Sequence, residues 1–213
     1  MTEIYDFSKE IPIMEKNNIL NIAYDLILKD EIIGISTDTV FGLAFNSKSK
    51  IALNKVKDIK KRENDIFTYH IGDIKQLYNS NIKFDLKILE LLEIILPAPI
   101  TFIIEGNNNG FKKFYGIRFP KNKLSKEFFS LFKFPSIVAT SCNLTGIQPL
   151  NKQNEIISFL NNKIPTILFD ENSLKDKEAS TIIKIDSDYK IQLIREGKVA
   201  FSDISKIIID FLG

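Results

Sequence analysis

Hydroxyl side chains and an aspartate follow an apolar segment near the start of the chain. The segment Ile32–Ile35 predicts a buried strand, and Ser36–Thr39 comes next, ahead of Gly42. At the end of a core strand, such side chains can hydrogen-bond a ligand in the cleft of an open α/β sheet. The same residues also suit a capping segment in which Thr37 or Asp38 starts a helical turn, and on spacing alone capping is the commoner arrangement.

Four cations lie within six positions at the predicted end of the next helix, namely Lys57, Lys60, Lys61 and Arg62. Cations at that end complement the helix dipole, so a solvated helix face is the usual explanation. Clustered Lys and Arg are also what a triphosphate requires. A β-like segment ending at His70 follows, which would bring an imidazole to the same side of the sheet. Taken alone, that histidine is at least as well explained by a structural role as by a catalytic one.

Two arginines and one polar segment complete the candidate residues. Arg118 and Arg195 each occur in or directly after an apolar strand-like segment, where a charged side chain must reach either solvent or an anion. The polar segment, residues 140–146, follows a predicted strand and carries hydroxyls and an amide. Cys142 lies within it, and a free cysteine in such a place more often fills apolar space than acts as a nucleophile.

The composition excludes several kinds of chemistry. The 213 residues include one histidine, His70, and one cysteine, Cys142, so a zinc site built from Cys and His and an intrachain disulfide are both excluded. No Walker A, Gly-x-Gly-x-x-Gly, Gly-x-Ser-x-Gly or His-Glu-x-x-His sequence occurs. The formal net charge of +2 lacks the excess expected of a protein that binds nucleic acid by phosphate neutralisation alone. Hydroxyls, amides, carboxylates, lysine and arginine remain, and we expect no metal ligands among them.

Helical and strand-like segments alternate along the chain. Helices are predicted at 19–29, 51–59, 86–96, 124–133, 156–160 and 204–212, and strands at 32–35, 66–71, 100–105, 115–119, 136–141 and 166–169, with 181–185 and 191–194 as an antiparallel pair. This alternation favours an α/β fold with a mixed sheet, and the length favours one domain over residues 1–213 with a core at roughly 15–200. Because no signal peptide or membrane-spanning run is recognisable, we expect a cytoplasmic protein without membrane contact.

Taken in order, these segments resemble the YrdC-like family, the threonylcarbamoyl-AMP synthases. The family pattern Pro-Thr-Asp/Glu-Thr-Val-Tyr-Gly-Leu is similar to Ser36–Leu43, and its Lys-x-Arg element before a strand ending in His resembles residues 60–62 and His70. Further similar elements are Leu96–Thr101 (Trp-Pro-Gly-Pro-Leu-Thr), Ile117–Pro120 (Val-Arg-x-Pro), Ser141–Gly146 (Ser-Ala-Asn-x-Ser-Gly), Ser180–Ile183 and Leu193–Gly197. The chain departs from the pattern by one residue fewer between Arg62 and His70, and by Ala98 and Leu150 in place of a glycine and a serine.

The resemblance implies a fold and a reaction. The fold is a single-domain α/β unit, a twisted mixed β-sheet flanked by helices with an open cleft, in the short form of the family. The reaction joins L-threonine, bicarbonate and ATP to give threonylcarbamoyl-AMP and pyrophosphate. The product serves the threonylcarbamoyladenosine modification of tRNA, so a hand-off to the tRNA threonylcarbamoyl-transferase machinery is expected, and direct tRNA contact stays open. ATP is a substrate, and Mg²⁺ would be held mainly by its phosphates and by water.

The resemblance also implies roles for the candidate residues. The implied catalytic residues are Lys60, Arg62 and Arg118; the implied nucleotide and phosphate ligands are Lys60, Arg62, Ser141, Asn143, Ser180 and Arg195; the implied threonine ligands are Thr39, His70, Arg118 and Thr140. On this basis we expect Arg118→Ala or Lys60→Ala to leave the fold intact and to lower activity by on the order of a hundredfold.

Two other functions remain open at this point. An RNA-binding module of the same fold without turnover predicts a dense basic face and salt-sensitive RNA affinity. An enzyme that handles carbamoyl phosphate ordinarily carries zinc-finger and acylphosphatase segments, which this sequence lacks.

Overall fold

Helices and strands alternate in the computed structural model, which describes residues 1–63, 67–174 and 178–213. The strands are β1 (Glu3–Asp6), β2 (Ile33–Ile35), β3 (Gly42–Asn46), β4 (Thr68–His70), β5 (Lys83–Phe84), β6 (Ile100–Asn108), β7 (Phe111–Arg118), β8 (Ile137–Ser141), β9 (Thr166–Phe169), β10 (Thr181–Ile185) and β11 (Ile191–Arg195). The helices are α1 (Ile13–Leu28), α2 (Lys50–Lys60), α3 (Lys75–Tyr78), α4 (Leu86–Ile95), α5 (Lys123–Ser130), α6 (Gln153–Leu160) and α7 (Phe201–Leu212), with a 3-10 turn at Glu171–Leu174.

Local sequence signals explain several helix boundaries. The Ser49 hydroxyl caps α2 by accepting a hydrogen bond from the Ala52 N–H at 3.0 Å, and the Asp85 carboxylate caps α4 through the Ile88 N–H at 3.1 Å. α4 ends two residues before Pro97, because proline cannot continue a helix. None of the helices in the described ranges is both long and apolar enough to cross a membrane.

The strands form one mixed sheet in the order β1-β9-β2-β3-β8-β4-β7-β6-β10-β11, with β5 paired to β6. The parallel pairs are β1–β9, β2–β9, β4–β7 and β6–β10, and the other neighbours are antiparallel. The two outer strands do not pair with each other, so the sheet is open rather than a closed barrel. The predicted α/β fold with a mixed sheet is confirmed, as is the antiparallel pairing of β10 with β11.

Three clusters of buried apolar side chains hold the helices against the sheet. α1 and α5 pack on one face of β2, β3 and β8, and α2 and α6 pack on the other face. α4 and α7 cover one face of β6, β7 and β10. The opposite face of that half is less covered, with Phe114 43% exposed and Ile194 48% exposed. By strand alternation Arg118 lies on the same face as Phe114, so this open face adjoins the candidate site.

Four observed elements, β1, β3, α3 and β5, were not predicted from the sequence. β3 was not predicted, because residues 42–45 are buried on both faces and show no alternation of apolar and polar side chains. β1 and α7 extend the core beyond residues 15–200, since β1 pairs with β9 and Ile208 of α7 is fully buried. The strand predicted at 66–71 is observed at Thr68–His70, and Ile66 falls outside the described residues.

Candidate active site

The segment Ser36–Phe41 connects β2 to β3 and forms bends rather than the helical turn of the capping alternative. The Thr37 hydroxyl donates to the Val40 carbonyl at 2.7 Å and accepts from the Thr39 N–H at 3.3 Å. The Thr37 and Thr39 hydroxyl oxygens lie 3.1 Å apart, and both residues are buried. The Ser36 carbonyl accepts from the Ser125 hydroxyl at 2.7 Å, which fixes the segment against α5.

Lys60, the last residue of α2, directs its ammonium into the loop after β8. Its Nζ donates to the Ser141 carbonyl and, at 3.0 Å each, to the carbonyl and Oδ1 of Asn143. The N–H and the hydroxyl of Thr145 donate hydrogen bonds to the Lys60 carbonyl oxygen, at 2.9 and 3.0 Å. Lys60 is only 3% exposed, so it is not part of a solvated helix face. Burial, with the nearby Arg62 charge, lowers the pKa of Lys60 to about 8.

Arg62 binds the residue just before this loop. Its Nη1 donates to the Thr140 hydroxyl at 3.3 Å, and its guanidinium carbon lies 4.7 Å from the centre of the Phe67 ring. Lys61 ends α2 in the left-handed conformation, with φ 50°, and so turns the chain between the two cations. As a result, Lys60 and Arg62 hold consecutive residues, Ser141 and Thr140, at the end of β8.

Arg118 is buried at the end of β7, where it forms an ion pair with Asp38. Its Nη2 donates to Asp38 Oδ1 at 2.6 Å, and the two side chains are 3% and 11% exposed. Its Nη1 donates to the carbonyls of Ala98 and, at 3.2 Å, Ile100. Burial lowers the pKa of Arg118, and the adjacent Asp38 opposes that shift. Of the two possibilities raised by the sequence, the structure therefore has Arg118 facing an anion, and that anion belongs to the protein.

His70 lies beside Arg118 in the β4–β7 ladder, and its ring centre is 5.2 Å from that of Phe129. Its Nδ1 is 3.0 Å from the Thr68 carbonyl oxygen, which can only accept, so Nδ1 carries the proton of the neutral ring. Burial and then the Arg118 charge lower the pKa of His70 to about 4. At neutral pH the imidazole is therefore uncharged, and its Nε2 is an acceptor.

A third group joins β6, β10 and the end of β11. Arg195 donates to the Ser180 carbonyl from Nη2 at 2.8 Å and from Nε at 3.2 Å. The Ser180 hydroxyl lies 2.8 Å from the Thr101 hydroxyl. Gly197 allows this close approach, because a Cβ there would lie 2.2 Å from the Ala179 carbonyl oxygen.

Ser36–Phe41 contacts one segment from each of the three groups. Asp38 supplies its carboxylate to Arg118 and its carbonyl to Lys198 Nζ, which donates at 3.1 Å. The Cys142 N–H donates to the Phe41 carbonyl at 2.8 Å, which fixes the loop that Lys60 holds. Burial raises the pKa of the Cys142 thiol to about 12, in keeping with an apolar filler rather than a nucleophile.

Sequence reasoning assigned no role to two residues that link these groups. Asp38 and Thr101 lie within quoted motifs, but neither was assigned a role. The available signal for Asp38 was a carboxylate placed directly after a buried strand, the same kind of anomaly that drew attention to Arg118. With the structure, we instead expect Arg118→Ala to destabilise the fold, because the substitution would leave Asp38 buried without its counter-ion.

Comparisons with known proteins are consistent in family and fold. A family model for Sua5, YciO and YrdC, described as telomere recombination, matches residues 25–197. A Methanocaldococcus jannaschii protein provisionally named threonylcarbamoyl-AMP synthase is 28% identical over 96% of both chains. The Bacillus subtilis threonylcarbamoyl-AMP synthase is 26% identical over 87% of this chain, which spans 55% of that relative. The structure of Pyrococcus abyssi Sua5 complexed with L-threonine superposes with a TM-score of 0.82 at 21% identity, covering 97% of this chain and 61% of that one. This last likeness concerns the fold alone.

Proposed function

Because the chain belongs to the Sua5, YciO and YrdC family, we propose that it is a threonylcarbamoyl-AMP synthase acting on L-threonine, bicarbonate and ATP. The relatives that bear this name support the proposal. The observation that carries it is that Ser36–Phe41 contacts Arg118, Lys198 and the main chain of Cys142, which belong to the segments that carry the candidate cations, hydroxyls and amides. We treat residues 1–213 as one catalytic domain that works in the cytoplasm.

The proposed reaction needs positioning and charge stabilisation more than a protein nucleophile. Threonine and bicarbonate condense to the carbamate with loss of water, and a carbamate oxygen then attacks the α-phosphorus of ATP. The bond from that phosphorus to the bridging oxygen breaks, and pyrophosphate leaves. Fixed donors and cations stabilise the charge that develops on the phosphate oxygens. The described site is composed of such groups.

We assign the nucleotide side to the Lys60 and Arg195 groups. Arg62 and Arg195 are proposed to contact the phosphates, while Ser141, Asn143 and Ser180 bind the nucleotide. Lys60 is proposed to supply positive charge behind the loop that contains Ser141 and Asn143. Its three N–H groups already bind that loop, so its effect on ATP passes largely through the loop's position.

We assign the threonine side to the group around Arg118. Among the described residues, Arg118 uses three of its five N–H groups on protein oxygens, and we propose that Nε–H and the second Nη2–H bind a carboxylate. Neutral His70 offers Nε2 as an acceptor for a hydroxyl or amino group. Thr39 and Thr140 are proposed to add hydroxyl contacts.

We propose that Mg²⁺ enters with ATP and is held by its phosphate oxygens and by water. No group of three or more His, Cys, Asp or Glu side chains within the described residues could hold a metal ion. A Mg²⁺ ion that is carried by a triphosphate takes its ligands from phosphate oxygens and water. Bound in this way, Mg²⁺ would neutralise phosphate charge.

The product is proposed to pass to the machinery that transfers the threonylcarbamoyl group to tRNA. Such a mixed anhydride is prone to hydrolysis, so a nearby acceptor enzyme is chemically reasonable. Direct contact with tRNA is not needed for the proposed reaction.

The decisive experiment is pyrophosphate release from ATP with threonine and bicarbonate omitted in turn. We expect release to require both, and mass spectrometry to detect threonylcarbamoyl-AMP. Arg195→Ala should lower the rate by at least an order of magnitude, since it removes a proposed phosphate contact. Asp188→Asn, in an exposed ion pair with Lys190, is the control that should leave the rate unchanged. Release that ignores both co-substrates would contradict the proposal.

A further inference from the structure

The Asp38–Arg118 ion pair is poorly suited to a purely stabilising role. Asp38 Oδ1 binds Arg118, but Oδ2 is buried and has no hydrogen-bond partner among the described residues. An unsatisfied carboxylate oxygen in the interior is costly, and apolar side chains of similar size often stabilise a fold as well as a buried ion pair does. The arrangement therefore indicates that Asp38 is there to position the Arg118 guanidinium rather than to stabilise the fold.

Arg118 transmits the position of Asp38 to the start of β6. Its Nη1 donates to the carbonyls of Ala98 and Ile100, which flank the entry into that strand. The next residue, Thr101, is also the β-ladder partner of Arg118. Fixing the guanidinium thus fixes the backbone from which the Thr101 side chain extends.

Thr101 continues the connection to the proposed nucleotide side. Its hydroxyl lies 2.8 Å from the Ser180 hydroxyl, and both residues are buried. Ser180 in turn accepts from Arg195 through its carbonyl oxygen at 2.8 Å. A series of hydrogen bonds, joined through the Ile100–Thr101 backbone and through Ser180, therefore runs from Asp38 to exposed Arg195.

We propose that Asp38 and Thr101 are positioning residues that hold the threonine and ATP subsites in a fixed relation through Arg118, Ser180 and Arg195. The inference rests on the proposed function, which assigns Arg118 to threonine and Arg195 to phosphate. Asp38 acts on both subsites, because it orients Arg118 directly. Thr101 acts on the ATP subsite only, because its hydroxyl contacts Ser180.

A double-mutant cycle tests this series of contacts. Asp38→Asn keeps the shape of the side chain but removes its charge, and Thr101→Val keeps the shape but removes the hydroxyl. We expect Asp38→Asn to raise the KM for both threonine and ATP by on the order of tenfold. Thr101→Val should raise the KM for ATP severalfold and leave that for threonine unchanged. In the double variant, the KM for ATP should match the higher single-variant value, whereas the KM for threonine should match that of Asp38→Asn.

Other outcomes separate the inference from its premise. Unchanged KM values in folded Asp38→Asn, or independent multiplication of the two ATP effects, would overturn the positioning series. A merely structural role would lower the melting temperature without moving either KM. If Asp38→Asn does not fold, Thr101→Val alone decides, because equal effects on both substrates would overturn the assignment. Wild-type protein that shows no threonine-dependent pyrophosphate release would contradict the proposed function instead.

Discussion

At the scale of single residues, Arg118 and Arg195 bind their surroundings in different ways. Arg118 is enclosed and neutralises the buried carboxylate of Asp38, whereas Arg195 is exposed and bonds mainly to Ser180. Removing one partner of a buried ion pair leaves an uncompensated charge, but removing an exposed guanidinium does not. Both arginines are proposed to contact substrates, so replacing either should lower activity. Only the replacement of Arg118 should also lower stability strongly.

Arg118→Ala should lower the free energy of unfolding by about 3–5 kcal/mol, because Asp38 loses its counter-ion in the interior. Arg195→Ala should lower it by less than about 1 kcal/mol while reducing pyrophosphate release. Urea denaturation followed by circular dichroism measures both values. Equal stability losses in the two variants would show that burial does not distinguish them.

His70 should make stability depend on pH. Its pKa in the folded state is about 4, below the ordinary value of 6.5, so between these values the unfolded chain binds a proton that the folded protein does not. Stability from this residue is therefore complete above pH 6.5, decreases as the pH falls, and levels off below about pH 4. At pH 4.5 the loss is about 2.5 kcal/mol.

The measurement compares wild type with His70→Gln, which does not titrate. Urea denaturation at pH 7 and pH 4.5 gives the pH-dependent change for each protein. The change should be smaller in His70→Gln by about 2.5 kcal/mol. Identical changes would mean that His70 is protonated as readily in the folded protein as in the unfolded chain.

The sequence was informative about residues that break a local pattern. Arg118 in an apolar strand and the cations near Lys60 were recognisable for that reason. Asp38 was not assigned, because a carboxylate among hydroxyls after a strand is also an ordinary capping pattern. Its partner lies 80 residues away, and such a pairing depends on the sheet order, which local spacing does not contain.

At the scale of elements, the end of α2 and the loop after β8 form one unit. The Lys60 ammonium binds Ser141 and Asn143, and the Lys60 carbonyl accepts from Thr145. The side chain and main chain of one residue thus hold both sides of the loop. The loop geometry should therefore depend on the ammonium, even though Lys60 has no need to touch ATP.

Lys60→Met tests this dependence by removing the ammonium from a side chain of similar length. We expect faster amide exchange at Asn143 and Leu144 and a KM for ATP raised by on the order of tenfold, because the loop loses charge-assisted bonds. The control is Lys61→Met, whose side chain is exposed. Unaltered exchange in Lys60→Met would mean that the Thr145 contacts suffice to hold the loop.

Gly197 allows the segment after β11 to lie close to the segment before β10. A Cβ at this position would lie 2.2 Å from the Ala179 carbonyl oxygen, so Gly197→Ala must push the two segments apart. We expect a loss of about 1–3 kcal/mol in the free energy of unfolding and a raised KM for ATP, because Arg195 moves away from Ser180. Gly42→Ala is the stability control, since its nearest contact would be an ordinary 3.5 Å. Similar losses of unfolding free energy in Gly197→Ala and Gly42→Ala would contradict a special steric requirement at Gly197.

Periodicity predicted the helices better than the strands. Amphipathic helices such as α2 and α4 expose one face, so their apolar spacing is readable. β3 is buried on both faces and follows a short turn. Neither an alternation of apolar and polar residues nor the length of the apolar segment therefore indicated a strand. β1 is a four-residue edge strand whose pairing with β9 spans most of the chain, and no local pattern encodes that distance.

At the scale of the whole molecule, the candidate site lies where the two halves of the sheet meet. β1, β9, β2, β3 and β8 form one half, and β4, β7, β6, β10 and β11 form the other. Within the described residues, the β-ladder between the two halves consists of two residue pairs, between β8 and β4. Contacts of Asp38 with Arg118 and Lys198 also connect the two sides of the join. Substrates that bind there should therefore stabilise both halves together.

Threonine and a non-hydrolysable ATP analogue should slow amide exchange on both sides of the join. We expect protection at residues 36–41 and 141–145 in the first half and at 98–101 and 195–198 in the second, because the proposed ligands contact side chains from each. A single ligand at a hundred times its Kd stabilises the folded state by about 2.7 kcal/mol, which sets the scale of the effect. In Arg195→Ala, protection by the ATP analogue should be confined to the first half. Wild-type protection restricted to one half would place the ligands away from the join, and the connection through Asp38 would then have no part in binding.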